Sequence, residues 1–244
     1  MTQENRPSPQ FKPLYEQVKE LIIERIVEGV WKPGEVLPSE FQLADRLNVS
    51  QGTVRKALNT LTEENVVFRR QGVGTFVSKH TLQEMLFHFF RFKHNNGESD
   101  TLPSADIIDI QILEAEPKVA QALHLTTTDK VIRLHRVRII NNEPCIRELI
   151  YLPHRYFGDL HLEETLPHAL YNFYQNTFNI SIRNAVDSIT AVLSDEIDAQ
   201  MLSIDVGQPL LEVERVATAL DGRLVEYSIS RAHSSNMHYE VKIT

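Results

Sequence analysis

Gln51, Thr53, Arg55, Lys56 and Asn59 stand together in one short stretch, "NVSQGTVRKALNTL" (residues 48–61), whose apolar Val54, Leu58 and Leu61 recur at helical spacing. Polar side chains of graded length along one side of a helix can read hydrogen-bonding edges. Gln reaches adenine with two bonds, Arg does the same with guanine, and Thr meets a base or a phosphate. An ordinary solvated helix face carries similar residues, so the surroundings decide between the two. A second set of charges sits where charge is costly. In "VIRLHRVRII" (131–140) Arg136 and Arg138 alternate onto the same side of a strand as Ile132 and Leu134; in "CIRELIYL" (145–152) Glu148 falls with Ile146 and Ile150. Charges on an apolar face must pair or meet a ligand. An internal Arg–Glu ion pair satisfies that requirement, and so does a pocket whose arginines hold an anionic or polar small molecule. Both can hold, with the ion pair serving the empty state.

The elements around the first set make a compact pattern. Leu14, Val18, Leu21, Ile22 and Ile26 mark the apolar face of a helix over about 13–28, with Gly29 as its stop. "WKPGEVLPSE" (31–40) is an extended connector punctuated by proline. Ser39 with Gln42 three residues on forms a capping box, opening a short helix with Leu43, Ala44 and Leu47 inward. Asn48 tolerates the left-handed conformation of a tight turn, and Ser50 caps the next helix, 51–64. This is a helix-turn-helix. "VVFRRQGVGTFVS" then predicts two short strands, 66–70 and 75–78, joined by a Gly-rich turn. In such a motif the first turns of the second helix enter the major groove, and the helix N-terminus offers N–H groups to a phosphate. Arg69, Arg70 and the turn at Gly72 and Gly74 suit a wing lying along the backbone or in the minor groove.

Charge supports this placement. The chain carries a net −8, yet residues 1–80 hold 11 bases against 10 acids, and between 46 and 79 six bases meet two acids. The remainder holds 14 bases and 23 acids. Local potential, not the total, attracts phosphates. A length of 244 residues suits two domains, and 42% hydrophobic with 24% charged residues is a globular composition. The longest apolar run, "MLFHFF", is too short to cross a bilayer. "MTQENRPSPQ" lacks the apolar core of a signal peptide, so residues 1–10 are expected to be a flexible lead-in. The single Cys145 excludes an internal disulfide and a multi-cysteine metal site, and fits a reducing cytoplasm. The ten histidines are scattered; His88, His94, His233 and His238 read as surface residues rather than ligands. With no Ser/His/Asp arrangement at recognisable spacing, neither catalysis nor a metal or cofactor is expected.

Residues 80–101 are expected to be a linker whose apolar patch, "EMLFHFFRF", packs on the second domain before a polar loop, "KHNNGESDT". From Ile107 onward short strand-like runs dominate: "IIDIQIL", "KVIRLHRVRII", "PCIRELIYL", "DSITAVL", "PLLEVERVA" and "RLVEYSIS". Helical stretches interrupt them near 118–123, 166–178 and 195–202, and "NNEP" and "LDGR" predict hairpin turns. The pattern is α+β with a mostly antiparallel sheet.

Residues 13–77 resemble the winged helix of the GntR family of bacterial repressors. The matching pieces are Pro13-Leu14-Tyr15, Pro33-Gly34, Leu37-Pro38-Ser39-Glu40, Thr53-Val54-Arg55, Gln71-Gly72 and Gly74-Thr75-Phe76-Val77. Members of that family commonly carry Arg just after Pro-Ser-Glu and again just after Val-Ser, and use both on DNA. Here those places hold Phe41 and Gln51, while the third usual Arg is present as Arg55. The resemblance therefore implies DNA binding, but through its own operator sequence. Residues 102–243 resemble the effector-binding domain called UTRA, found in the HutC branch of these regulators and related in fold to chorismate lyase. It is carried by "RVRIINNEP", "ELIYLP", "ALYNFY" and "LLEVERVATALDGRLVEYS". It implies that Arg136, Arg138, Glu148 and Glu226 line the ligand pocket. Phosphosugar-sensing members have Ser before the Leu-Tyr pair where this chain has Ala169, and a basic and acidic pair near the C-terminus is missing from "RAHSSNMHYEV". A small organic acid is thus the expected effector.

The expected architecture is a winged helix-turn-helix over 11–79, the linker 80–101, and a UTRA domain over 102–244 with a mostly antiparallel sheet and flanking helices. The expected DNA-binding set is Ser39, Phe41, Ser50, Gln51, Thr53, Arg55, Lys56, Arg70, Gly72 and Gly74. The expected function is a cytoplasmic, homodimeric repressor, released from double-stranded operator DNA by a metabolite and without a membrane partner. Two DNA-binding heads on a twofold imply a palindromic operator with half-sites about 34 Å apart. A lyase or isomerase with a DNA-binding head, and a ligand-independent DNA binder, are the alternatives.

Overall fold

Apolar side chains at helical spacing pack three helices of the N-terminal unit on one another: α1 (Leu14–Val27), α2 (Glu40–Leu47) and α3 (Gln51–Glu63). The computed structural model describes residues 12–78, 91–95, 104–158, 160 and 166–241. It divides into two compact units, Met1–Lys79 and His80–Thr244. The lead-in 1–10, linker residues 79–90 with His88, and 96–101 of the polar loop lie outside the described residues.

In the first unit α1 buries Val18, Ile22, Ile23 and Ile26, while α3 buries Val54, Ala57, Leu58 and Leu61. Leu14 and Leu21, expected inward, are 51% and 42% exposed. At 100° per residue they lie on the rim of the buried stripe, on the side away from Ile23, so the true face is rotated from the expected one. The capping box is present: Gln42 N–H donates to Ser39 Oγ (3.2 Å), and Ser39 N–H donates to Gln42 Oε1 (3.0 Å). Asn48 adopts φ 51°, ψ 48° between α2 and α3. β1 (Val67–Arg70) and β2 (Gly74–Val77) form an antiparallel hairpin. The connector is more than a spacer. Gly34 N–H donates to Val77 O (2.9 Å), Val77 N–H to Glu35 O (2.9 Å) and Leu37 N–H to Thr75 O (2.8 Å), so residues 34–37 line the outer edge of the hairpin.

The second unit is a six-stranded, wholly antiparallel sheet in the order β4-β5-β6-β9-β8-β7. Its strands are β4 (Ser104–Glu114), β5 (Lys130–Ile140), β6 (Glu143–Pro153), β7 (Ile182–Leu193), β8 (Pro209–Ala219) and β9 (Leu224–His233). Asn141 and Asn142, at φ 54° and 65°, make the β5–β6 turn, where Asn tolerates positive φ. Three features were not anticipated. β7 begins at Ile182 rather than near 187, because Arg183 and Asn184 hid its start. A two-stranded ladder joins β3 (Phe92–His94) to β10 (Met237–Tyr239), two segments too short to register as strands. A single helical turn, α5 (His154–Phe157), follows β6.

Strand alternation sends Ile132, Leu134, Ile150 and Leu152 to one face, where they pack with Phe157 of α5 and with Tyr171 and Tyr174 of α6 (Leu170–Phe178). The opposite face holds Val131, Tyr151 and Tyr227 under Val119, Ala120 and Leu123 of α4 (Pro117–Leu123). On that face, further along the sheet, Leu202 of α7 (Glu196–Leu202) meets Val137 and Leu210. Ions as well as apolar contacts fasten α7. Asp198, fully buried, accepts from Arg147 Nη1 (2.8 Å) and Arg231 Nη1 (2.9 Å), and Arg231 Nε also donates to Glu212 (2.7 Å). Arg147 Nε donates to His135 Nε2 (3.1 Å), and burial together with the Arg147 charge lowers the His135 pKa, keeping the ring a neutral acceptor. Removing one partner from such a cluster strands buried charge. Asp198→Ala is expected to destabilise the second unit by about 3–5 kcal/mol in urea unfolding, with loss of α7 helicity.

Candidate functional site

Candidate residues gather in two places, one in each unit. In the first unit the start of α3 is built by Ser50, whose Oγ accepts Thr53 N–H (3.2 Å) and lies 2.8 Å from Thr53 Oγ1. Gln51, Arg55, Lys56 and Asn59 are exposed beyond it. Helix α3 buries its other side, so this polar row is the face left to solvent. Arg55 Nε donates to Glu40 Oε2 (2.9 Å), and Arg69 Nη2, from the wing, donates to Glu40 Oε1 (3.1 Å). Lys56 Nζ sits 3.9 Å above the Tyr15 ring, and the Arg70 guanidinium lies 5.2 Å from Phe76 and 5.5 Å from Phe68. These two cations lean on ring faces, which hold a charge without neutralising it. Phe41, next to Glu40, is 72% exposed, and Ser39 is exposed with its Oγ capping α2. At the wing turn Gly72 has φ 75° and Gly74 φ 146°, and a Cβ on Gly74 would come within 3.1 Å of Val36. All ten residues of the expected DNA-binding set thus lie on α2 and α3, at the N-caps of these helices, or on the wing.

In the second unit Arg136, Arg138, Glu148 and Glu226 share the sheet face covered by α6. Arg136 and Glu148 are direct cross-strand partners. Arg136 Nε donates to Glu148 Oε2 (2.6 Å) and Arg138 Nε to Glu148 Oε1 (2.9 Å). Arg136 Nη1 also reaches His168 O (3.4 Å). Burial by itself would raise the Glu148 carboxyl, but the two guanidiniums override it and hold the pKa at about 2. Glu226 lies apart from this pair. It accepts from Tyr171 OH (3.0 Å), Tyr174 OH (2.8 Å) and Ser228 Oγ (3.4 Å). Burial raises its pKa despite those donors and Arg215, and it pushes both tyrosines well above their ordinary value. Further along the same face Arg215 clasps Asp187 with two bonds (2.6 and 2.7 Å), and Tyr239 OH donates to the same carboxylate.

The cluster therefore sets three arginines against three carboxylates on one sheet face. Glu226, the carboxyl that burial pushes upward, is the member that most readily takes a proton, which would leave the arginines in excess. The arrangement can take up an anion if Glu148 yields its partners. Sequence reasoning missed Glu40 and Tyr15 in the first unit and Tyr171, Tyr174, Asp187, Arg215 and Ser228 in the second. Arg215 carried the same signal as Arg136: it alternates with Val213 and Ala217 on a strand.

Comparison with known proteins places both units. The UTRA domain family matches residues 99–238, and the family described as bacterial regulatory proteins, gntR family, matches residues 14–77. The mannosyl-D-glycerate transport/metabolism system repressor MngR of Escherichia coli (strain K12) is 29% identical over 217 residues, 89% of this chain and 90% of that protein. The HTH-type transcriptional repressor NagR of Bacillus subtilis (strain 168) is 28% identical over 226 residues, covering 93% of this chain and 92% of that one. The crystal structure of PhnF from Mycobacterium smegmatis shares the fold with a TM-score of 0.55 at 23% identity, over 93% of this chain and 99% of that chain.

Glu148 gives the cluster a measurable pH signature. Its folded pKa is depressed below the ordinary 4.5, so its contribution is fully present above that value and is lost as pH falls toward about 2. Glu148→Gln is expected to cost about 3–5 kcal/mol at neutral pH, because two buried guanidiniums lose their counter-charge. Urea unfolding of both proteins as a function of pH should show that gap close between 4.5 and 2; a gap independent of pH would contradict the ion-pair account.

Proposed function

We propose that this chain, which belongs to the UTRA family and carries a gntR-family unit ahead of the UTRA domain, is a homodimeric repressor that a small anionic metabolite releases from a palindromic operator. It is a DNA-binding transcriptional regulator of the GntR type. The observation that carries the reading further is the exposed start of α3, where Gln51, Thr53 and Arg55 face solvent beside the arginines of the wing. Under this reading that face enters the major groove, Phe41 and Gln51 replace guanine-reading arginines with an apolar and an amide contact, and Lys56, Arg70 and the Gly72–Gly74 turn follow the phosphate backbone. Repression has support from MngR and NagR, both named as repressors. The named relatives are regulators, which supports a binding role over a catalytic one.

The effector site of the proposal is the Arg136, Arg138, Glu148 and Glu226 face. An entering carboxylate competes with Glu148 for the two arginines, so ligand and ion pair are alternative occupants of one place. The mannosyl-D-glycerate in the MngR name contains such a carboxylate. Binding then shifts the dimer population away from the form whose two DNA-binding units match the half-sites. Among the described residues no helix is long and apolar enough to cross a membrane, and the proposed place of action is the cytoplasm.

Two measurements test the proposal. Arg55→Ala should weaken binding to the preferred duplex by about 1–3 kcal/mol and relax the choice at one position of each half-site, with the fold intact. Selection from randomised DNA, run on both proteins, decides it; an unchanged consensus would remove α3 from base recognition. Arg136→Ala should retain DNA binding yet fail to let go at saturating effector, the effector being found by thermal-shift screening of organic acids against the wild type. A variant that still releases DNA places the effector elsewhere.

A further inference from the structure

We propose that Glu40 is a positioning residue that sets Arg55 and Arg69 for DNA as one unit. It rests on the reading above that the α3 face binds DNA. One carboxylate, fixed at the first position of α2 beside the capping box, accepts from two cations that come from different elements, α3 and β1. Residues 15 and 29 positions away in sequence are thereby tied to a single point. A carboxylate is well placed there, since the N-terminus of a helix favours negative charge. The Arg55 bond runs through Nε, and the Arg55 side chain remains 58% exposed. The two Nη groups take no part in that bond and remain for guanine O6 and N7. Glu40 itself is 22% exposed against 58% for Arg55 and 40% for Arg69, so the arginines present more surface to solvent than the carboxylate that holds them.

A negative charge on a DNA-facing surface is otherwise a liability, because it repels phosphate and weakens sequence-independent binding. Positioning offsets that repulsion in specific binding only: two long side chains held in advance lose less freedom when they meet their targets. The two effects have opposite signs on two kinds of DNA, which makes the proposal decidable.

The probes are the duplex selected by the wild-type protein from randomised DNA and a random duplex of equal length. With Glu40→Gln, affinity for the selected duplex should fall roughly tenfold, while affinity for random DNA should rise about two- to threefold. Equal rises on both DNAs would show plain charge repulsion and overturn the proposal. Equal losses on both would report a damaged fold, and Glu40→Asp then decides. That variant keeps the charge and the helix start but shortens the reach, so it should lower discrimination without a shift in Tm. Wild-type discrimination in Glu40→Asp overturns the proposal. Arg55→Ala, measured alongside, separates the two failures. If it too leaves discrimination unchanged, the α3 reading has failed; if it lowers discrimination while the Glu40 variants do not, only the positioning role has.

Discussion

Charge that has left water must find an opposite charge, and the second unit is organised by that demand. Glu148 sits between Arg136 and Arg138, among Ile132, Leu134, Ile146 and Ile150 of the same two strands. A one-residue slip of β5 against β6 would put Arg136 and Arg138 on the face opposite Glu148 and break both pairs, so the ion pair and the apolar pattern specify the same register. The opposite face repeats the solution with Asp198 between Arg147 and Arg231, where the anion comes from a helix instead of a strand. Buried pairs of this kind add little net stability over apolar packing, but losing one member is costly. That asymmetry suits the effector site proposed above, whose members would exchange partners with a ligand but cannot be left alone.

The two units handle charge differently. On the α3 and wing surface of the DNA-binding unit the paired arginines are exposed, and the cations there rest on Glu40 or on the rings of Tyr15, Phe68 and Phe76. Exposed pairs are weak, commonly below about 1 kcal/mol, and leave the cations available to phosphate. On the Glu148 face of the UTRA unit the pairs are shielded from solvent, so opening one leaves a charge that needs an equivalent partner. Under the proposed function, the same residue types thus give a surface that adapts to a polyanion and an interior that discriminates among small molecules.

What was legible in the sequence follows from range. The capping box at Ser39, the Asn48 turn, the Asn141–Asn142 hairpin and the six strands of the large sheet are local patterns, and each could be read from neighbouring residues. The placement of Arg136, Arg138 and Glu148 on one apolar face came from alternation alone. Glu40 with Arg55 and Arg69, Asp198 with its arginines, and the β3–β10 ladder depend on which distant segments meet, and no local pattern carries that. The misjudged face of α1 has the same origin: both rims of the stripe are apolar, and only packing against α3 selects between them.

The bonding of residues 34–37 to β2 also bears on how the first unit is made. A ribosome releases the chain from its N-terminus, so α1, α2 and α3 can collapse on Val54, Leu58 and Leu61 while the wing is still inside the exit tunnel. The connector then waits, its edge open, for a strand more than thirty residues downstream in sequence. Until that strand arrives, the edge is open to wrong pairing. Pro33 and Pro38, which lack backbone N–H donors, flank it and shorten the edge it offers to any other strand.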